Sequence, residues 1–585
     1  YKTYSFNSLF NKIEDQLKEQ TQINRIGYHI VRTRQELDIL AEEIKKQGHF
    51  AFDVETTGLH VYSDQMVGFS IAFLDRGYYI PIRFPEIESP EITISLSDIQ
   101  SLLAPIFGDP AIRKSGFNLK FDIQFMKTIG IETEGIADDG MLASGLLFPN
   151  RRSHKLKDLT FEQLNINQKT FENVVGSGKD EKAIESIPVQ TVGEYCIDDA
   201  NTSLKLSHHF EPLMKKRDVH QLYESLEIPL IPILSEMEYT GVKIDRSYLQ
   251  QSIDQLEDKL ATIEKEIIDQ AGYVLNINSS KQLSELLFEK MKLPIAKKTR
   301  KTKSYSTDIE VLTEYKQIPI VANLIKYRGW KKLYSTYLVG IKERIDSDDR
   351  IHTSFNQAVT ATGRLSSSNP NLQNIPVFQL DDINIRKLFI SGQDKKLLAV
   401  DYSQIELRVM AHFSKDENLK NAFLNNRDIH SQTANLVFGR DLFMDDQLKR
   451  KRAKIINFSI IYGSGPYSLS KELEVSFKEA KAFIDTYFEK YPGVKSFIEN
   501  TTVDAEKNGY VRTMERRKRE IPELASSTPN IKDNGRRMAV NTIIQGSAAE
   551  IIKRAMIRIG QRIRQMNSKM ILSVHDEIIF EYPLS

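Results

Sequence analysis

The apolar positions of this chain change period along its length. His49-Phe50-Ala51-Phe52-Asp53-Val54-Glu55 is a short apolar run closed by a Thr56-Thr57-Gly58 turn, the pattern of a buried strand. Two more such runs each end on an aspartate: Leu397-Leu398-Ala399-Val400-Asp401 and Met570-Ile571-Leu572-Ser573-Val574-His575-Asp576. Helical spacing dominates elsewhere. Leucine and isoleucine recur at three and four from about Ser247 to Gln270, predicting a long amphipathic helix, and an apolar, proline-containing run at 226–237 leads into a turn at Gly241. Residues 276–283 offer a helix N-cap. Arg450, Lys454, Phe458 and Tyr462 fall at i, i+4, i+8 and i+12, each step drifting by about 40°, so they share one stripe of a helix that Gly463 ends. Residues 362–376 are too polar for a core element and read as a loop.

Composition narrows the class. The 585 residues should form several domains, and 40% apolar with 27% charged residues is ordinary for a globular chain. No run approaches 18 uncharged apolar residues, which excludes a transmembrane helix. The single cysteine, Cys196, excludes an internal disulfide and a cysteine-rich zinc site, argues for a reducing compartment, and reads as a buried small residue. Net charge is only +1, but cations cluster at 151–157, 297–303, 449–454 and 516–519, which reads as four separate phosphate-contacting patches. The chain starts at Tyr1 and stops at Ser585, so both ends read as cut; no targeting segment or internal repeat stands out.

Candidate chemistry lies in the carboxylates. Asp401 and Asp576, 175 residues apart, would repel each other if brought together unless divalent cations lay between them. Two such ions about 3.5–4 Å apart are the usual device for in-line phosphoryl transfer. Alternation along a strand points Asp53 and Glu55 to one face. Downstream, Asp122 follows Gly116-Phe117-Asn118, and Tyr195 and Asp199 share a helix face at i, i+4. Two cations followed by two aromatics on the 450–462 stripe suit a triphosphate, a sugar and then a base.

The spaced set Asp53, Glu55, Asp122, Tyr195 and Asp199 resembles the DEDDy 3′–5′ exonucleases used in proofreading. That resemblance implies metal binding by the four carboxylates, with Tyr195 orienting water and Asn118 near the DNA. Residues 401–408, 450–463 and 574–577 resemble motifs A, B and C of family A DNA polymerases, as do 362–376 and 545–553. The likeness covers nearly the whole chain. It implies an α/β multidomain fold: a ribonuclease H-like exonuclease domain at 26–212, thumb and start of palm at 213–345, palm at 346–412, fingers at 413–533 and palm again at 534–585. Residues 1–25, with Tyr4-Ser5-Phe6-Asn7-Ser8-Leu9-Phe10, resemble the tail of an upstream 5′-nuclease domain. The helical pair at 213–345, with the basic run 297–303 at its tip, would clamp the duplex.

By the same resemblance Asp401 and Asp576 hold two Mg²⁺ ions, with Glu577 near them and Mn²⁺ as a substitute; two further ions belong to the exonuclease site. Lys454 would bind the triphosphate and protonate pyrophosphate, beside Arg450 and His430. Phe458 would pack on the incoming nucleotide, Tyr462 would hold the template-base site, and Gln404 and Glu406 would border the sugar, Glu406 as a gate against a 2′-hydroxyl. Arg364, Gln373, Asn374, Arg408, Arg537, Asn541, Gln545 and His575 would lie along the primer–template, where near-degenerate minor-groove acceptors test pair shape rather than sequence. The implied activity is templated DNA synthesis with proofreading, in replication and repair, by a monomer in the bacterial cytoplasm whose partners are primer–template DNA and dNTPs.

The chain departs from the family at Ser459, at Glu515 and at Gly535-Arg536-Arg537. Relatives also continue for several dozen residues past the third motif. Two other readings follow: an exonuclease whose polymerase half is disabled by the missing palm segment, or a non-catalytic primer–template binding module. All six metal-site carboxylates speak against the module, and Glu406 with the proofreading set speaks against an RNA-making relative.

Overall fold

The computed structural model describes residues 23, 25–294, 305–376, 383–439, 445–563 and 565–584. The 1–10 likeness and the basic run 297–303 lie outside them.

The N-terminal part is a six-stranded sheet: β1 (Tyr28–Ile30), β2 (His49–Thr56), β3 (Met66–Ala72), β4 (Gly77–Pro81), β5 (Arg113–Gly116) and β6 (Ile136–Asp139), in the order β1-β4-β3-β2-β5-β6. β3 runs antiparallel to β2 and β4, whereas β2, β5 and β6 are parallel neighbours. Helices cover the sheet, so β3 is buried throughout and most of β2 is buried with it, its carboxylates included in part. Phe50 and Phe52 pack edge-to-face on Phe107 with centroids 5.2 Å apart. Helix α1 (Leu119–Thr128) follows β5, and the long α2 (Val189–Arg217) crosses the sheet.

Beyond it, α3 (Ile228–Thr240) ends at Gly241, and α4 (Arg246–Ala271) matches the predicted long helix and packs on α5 (Pro319–Lys332). Ser279 caps the short helix Ser280–Ser284, as its sequence indicates. The polar segment 362–376 holds more order than its composition predicts: Ser366–Ser368 pairs with Ser354–Asn356, and Leu372 is buried.

In the C-terminal half, one sheet has three antiparallel strands: β7 (Lys395–Asp401), β8 (Lys569–Val574) and β9 (Glu577–Pro583), with β9 in the middle. Helices α6 (Ile405–Ser414), α7 (Ile429–Phe438), α8 (Asp446–Ile461) and α9 (Pro529–Ile563) belong to the same half. β7 is an edge strand with exposed apolar side chains; Leu398 and Val400 are 48% and 47% exposed.

A buried ionic cluster joins the two halves. Glu227 accepts from Lys553 Nζ at 2.8 and 3.0 Å, from Gln357 Nε2 at 2.9 Å and from Arg517. Arg517 also pairs with Glu550 at 3.4 Å. Of the basic run 516–519, Arg517 is buried in this cluster and Arg519 donates to Thr542, whereas Arg516 pairs with Asp218 at the surface and Lys518 lies near Glu520 on its own strand. For Arg517 the reading as a phosphate contact is corrected, because Glu227 and Glu550 enclose it.

Candidate functional site

The first carboxylate cluster is assembled by three elements. Strand alternation on β2 sets Asp53 and Glu55 side by side; α1 supplies Asp122, and α2 supplies Tyr195 and Asp199. Asn118, in the left-handed region at φ 64°, caps α1. Burial, then mutual repulsion, pushes the carboxyls of Asp53, Glu55 and Asp122 well above the ordinary carboxylate range. Burial raises Asp199 too, against the pull of Lys157, and burial followed by the three nearby carboxylates raises the Tyr195 phenol. Asp122 Oδ2 is buried with no hydrogen-bond partner, and ligand atoms of Asp53, Glu55 and Cys196 lie within 4.8 Å of one another. An orphaned buried carboxylate oxygen amid crowded acidic oxygens suits a hard divalent cation. Cys196 is buried as expected, but its thiol is turned toward the cluster, 3.6 Å from Asp53 Oδ2.

Two residues at this centre were not anticipated from sequence. Gln168 Nε2 donates to Asp199 Oδ1 at 2.9 Å. Lys157, counted in the 151–157 run as a phosphate contact, forms an ion pair with the same oxygen. In that run, Arg151 pairs with Glu162.

The second cluster comes from pairing. Asp401 at the end of β7 stands opposite Glu577, and the Tyr402 N–H donates to the Asp576 carbonyl at 3.1 Å. His575 and Asp576 form the two-residue turn between β8 and β9, with His575 at φ 55°. Partial desolvation, then the charges of Asp576 and Glu577, push the Asp401 carboxyl up.

Beside this turn, a cleft of about 370 Å³ is lined by residues including Arg364, Gln373, Gln404, Glu406, Phe458, Tyr462, Lys553, His575 and Asp576. Glu406 is buried; one carboxylate oxygen is paired with Arg364 and the other accepts from the Tyr462 hydroxyl at 3.1 Å. Burial raises its pKa against those partners. Gln373 donates to the Ser573 carbonyl at 3.1 Å, which fixes it beside β8.

Helix α8 starts at an Asp445 cap, five residues before Arg450, and carries the stripe, with Tyr462 at its C-cap. Gly463 follows it at φ +65°, where a Cβ would stand 2.7 Å from Arg537 Cγ, so both conformation and space require glycine. Phe458 and Tyr462 stack with centroids 6.3 Å apart, and His430 lies 5.9 Å from Phe458. Arg450 pairs with Asp428, which also caps α7, whereas Lys454 is exposed. His430 is 3% exposed; burial, aided by Arg450 and Lys454 against Asp428, lowers its pKa to about 4, so the ring is neutral at physiological pH.

The remaining expected residues are spread around the cleft. Arg537, Asn541 and Gln545 follow one another at four-residue steps along α9, and Asn541 Oδ1 is buried without a partner. The Asn374 carbonyl accepts from Tyr337 at 2.8 Å. Arg408 donates to the Ser403 carbonyl at 2.9 Å and lies 4.6 Å over the Phe423 ring. Of the departures, Glu515 forms a two-bond ion pair with Arg554 at 2.7 and 2.8 Å, and the Ser459 hydroxyl reaches Glu472 at 3.4 Å.

A strand-end carboxylate pair beside a cation–aromatic helix, joined to a second carboxylate centre on a mixed sheet, defines the class: this chain belongs to DNA polymerase family A. That family's model matches residues 246–585, and a 3′–5′ exonuclease model matches residues 28–215. The chain is similar to the DNA polymerase I of Chloroflexus aurantiacus, 36% identical over 565 residues, with 95% of this chain and 59% of that protein covered. It is 37% identical to the Bacillus subtilis DNA polymerase I over 591 residues, covering 100% of this chain and 64% of the relative. The chain thus spans about three fifths of these relatives' length. The POL domain of Pol1 from M. smegmatis, solved with a DNA primer-template and dNTP, superposes with a TM-score of 0.84 at 31% identity, covering 95% of this chain and 93% of that one. Among the described residues no helix is long and apolar enough to cross a membrane.

Proposed function

We propose that this chain extends the 3′ end of a DNA primer on a DNA template at the Asp401/Asp576 centre and excises 3′-terminal nucleotides at the Asp53/Glu55/Asp122/Asp199 centre, serving replication and repair. The observation that carries the reading is the register that sets Asp401 against Glu577, next to the His575-Asp576 turn at the mouth of the α8 cleft. The sheet half at 26–212 would be the exonuclease; 213–345, 346–412, 413–533 and 534–585 would be thumb, palm, fingers and returning palm.

Mg²⁺, two ions at each centre with Mn²⁺ as a substitute, would neutralise phosphate charge and activate the primer hydroxyl or a water. The protein's own groups do the rest. Lys454 and Arg450 hold the triphosphate, and Lys454 Nζ hands a proton to the departing pyrophosphate. His430 assists as a neutral hydrogen-bond donor, consistent with its low pKa. Phe458 packs on the incoming sugar and base, and Tyr462 keeps the template position closed until a nucleotide arrives. Gln404 and Glu406 border the sugar, and Glu406, pinned by Arg364 and Tyr462, occupies the space of a 2′-hydroxyl. Arg364, Gln373, Asn374, Arg408, Arg537, Asn541, Gln545 and His575 follow the primer–template, and Tyr195 aims the attacking water in the exonuclease, with Asn118 near the DNA.

The test is primer extension on a 5′-labelled primer–template with Mg²⁺, with and without dNTPs, beside Asp576→Ala. Extension that vanishes in the variant, with shortening that survives it, is the expected result. One second reading is an exonuclease whose palm does not extend primers. Shortening under every condition would select it.

A further inference from the structure

Lys120, Gln124 and Lys127 lie on one face of α1 and meet α3 across a polar seam. Gln124 Nε2 donates to Glu238 Oε2 at 2.7 Å, Lys120 pairs with Glu238 Oε1, and Lys127 Nζ donates to Glu236 Oε2 at 2.9 Å. The same Glu238 Oε1 accepts the Phe355 N–H, and Lys120 Nζ also donates to the Phe355 carbonyl at 2.7 Å. Glu238, itself buried, thus ties α1 to the strand Ser354–Asn356. Asp122 lies midway between Lys120 and Gln124 in sequence, about 200° around the helix from each, so it faces the other way, toward β2. There it takes a backbone hydrogen bond from Val54, and its Oδ2 has no partner. At the helix start Asn118 makes no side-chain cap bond, and Asp139 receives the Leu119 N–H at 2.8 Å. Tyr62, in the loop after β2, docks beside the seam: its hydroxyl donates to the Tyr239 carbonyl, and its ring stacks on His352 with centroids 4.1 Å apart.

We infer that Glu238 is a positioning residue for the exonuclease: by holding Lys120 and Gln124 it seats α1 so that Asp122 meets Asp53 and Glu55. This rests on the reading of that cluster as a nuclease centre. The residues matched by the exonuclease family end at 215 and those matched by the polymerase family start at 246, so Glu238 lies in neither. The exonuclease therefore depends on a side chain that its own sheet half does not contain. Truncating Glu238 strands two buried donors of α1 and the Phe355 N–H together. The strand 354–356 keeps other supports, its pairing with 366–368 and the Thr353–Ser367 hydroxyl bond at 2.6 Å, so the loss falls on α1.

The experiment measures excision of a 5′-labelled single strand by the full chain with Mg²⁺, beside primer extension and urea unfolding. Glu238→Ala should lower the excision kcat by about 10²-fold, the cost of a small misplacement of a reacting group, with KM for the strand and the rate of extension unchanged. Glu238→Gln keeps an acceptor for Lys120 and Phe355 and can donate to a turned Gln124 amide, so it should restore the rate. Amide hydrogen exchange over 119–128 should quicken in Glu238→Ala and stay unchanged in β2. Gln124→Leu severs only the bond from α1, should lower excision by about tenfold, and decides the matter if Glu238→Ala does not fold. Wild-type excision kcat in both variants overturns the positioning role, as does an equal fall in excision and extension with a lower unfolding midpoint. In either case Asp122→Ala should still abolish excision, and the nuclease reading stands. Excision that survives Asp122→Ala overturns that reading and the inference with it.

Discussion

Replacing Glu227 by glutamine should weaken the whole molecule, because this one carboxylate neutralises two buried cations from the far end of the chain. Glu227 is 2% exposed and Lys553 1%, and Arg517 is buried beside them. Lys553 and Arg517 hold the Glu227 carboxyl down at about 2, against an ordinary 4.5, overcoming the upward push of burial. A carboxyl depressed by that much contributes about 3 kcal/mol at neutral pH. Removing one partner of a buried ion pair costs a similar ~3–5 kcal/mol, since the stranded charge finds no water. Glutamine keeps the shape and loses the charge, leaving Lys553 uncompensated; Arg517 retains Glu550. The folded pKa lies below the unfolded one, so this stabilisation is fully present above about 4.5 and is lost as pH falls toward 2. Urea unfolding followed by circular dichroism should show E227Q about 3 kcal/mol less stable at pH 7.5, with the gap flat down to pH ~5 and narrowing below. The double variant Glu227→Gln/Lys553→Met should recover much of the loss. A gap under about 1 kcal/mol at pH 7.5, or one that widens in acid, would refute the argument.

Other consequences are open to direct measurement. Tyr195→Phe keeps the ring that packs under Lys157 but loses the hydroxyl; excision should fall by about 10²-fold with extension unchanged, and equal excision would remove Tyr195 from the chemistry. Glu406→Ala frees Arg364 and Tyr462 and opens the space beside the sugar, so discrimination against ribonucleotides in single-nucleotide insertion should drop by about 10–200-fold. The His430 ring should remain neutral to pH 5 by its NMR titration. Because its folded pKa lies below 6.5, it withdraws stability as pH falls from 6.5 toward 4, and a midpoint near 6.5 would contradict its burial.

Local pattern alone determined much of this protein. Strand alternation put Asp53 and Glu55 on one face, helical spacing put Arg450, Lys454, Phe458 and Tyr462 on one stripe, and the apolar runs marked the strand that ends at Asp401 and the one that ends two residues before Asp576. Those relations lie within a few residues, where backbone geometry leaves few choices. Only the tertiary structure decided which charges meet. The run 516–519 looked like a phosphate patch, but Glu227 and Glu550 enclose its Arg517 from elements hundreds of residues away or on another face. Lys157 looked like one more surface cation until the helix carrying it packed against α2 and delivered it to Asp199. A charged side chain's role depends on its counter-charge and its access to water, and both are set by long-range packing that no local period encodes.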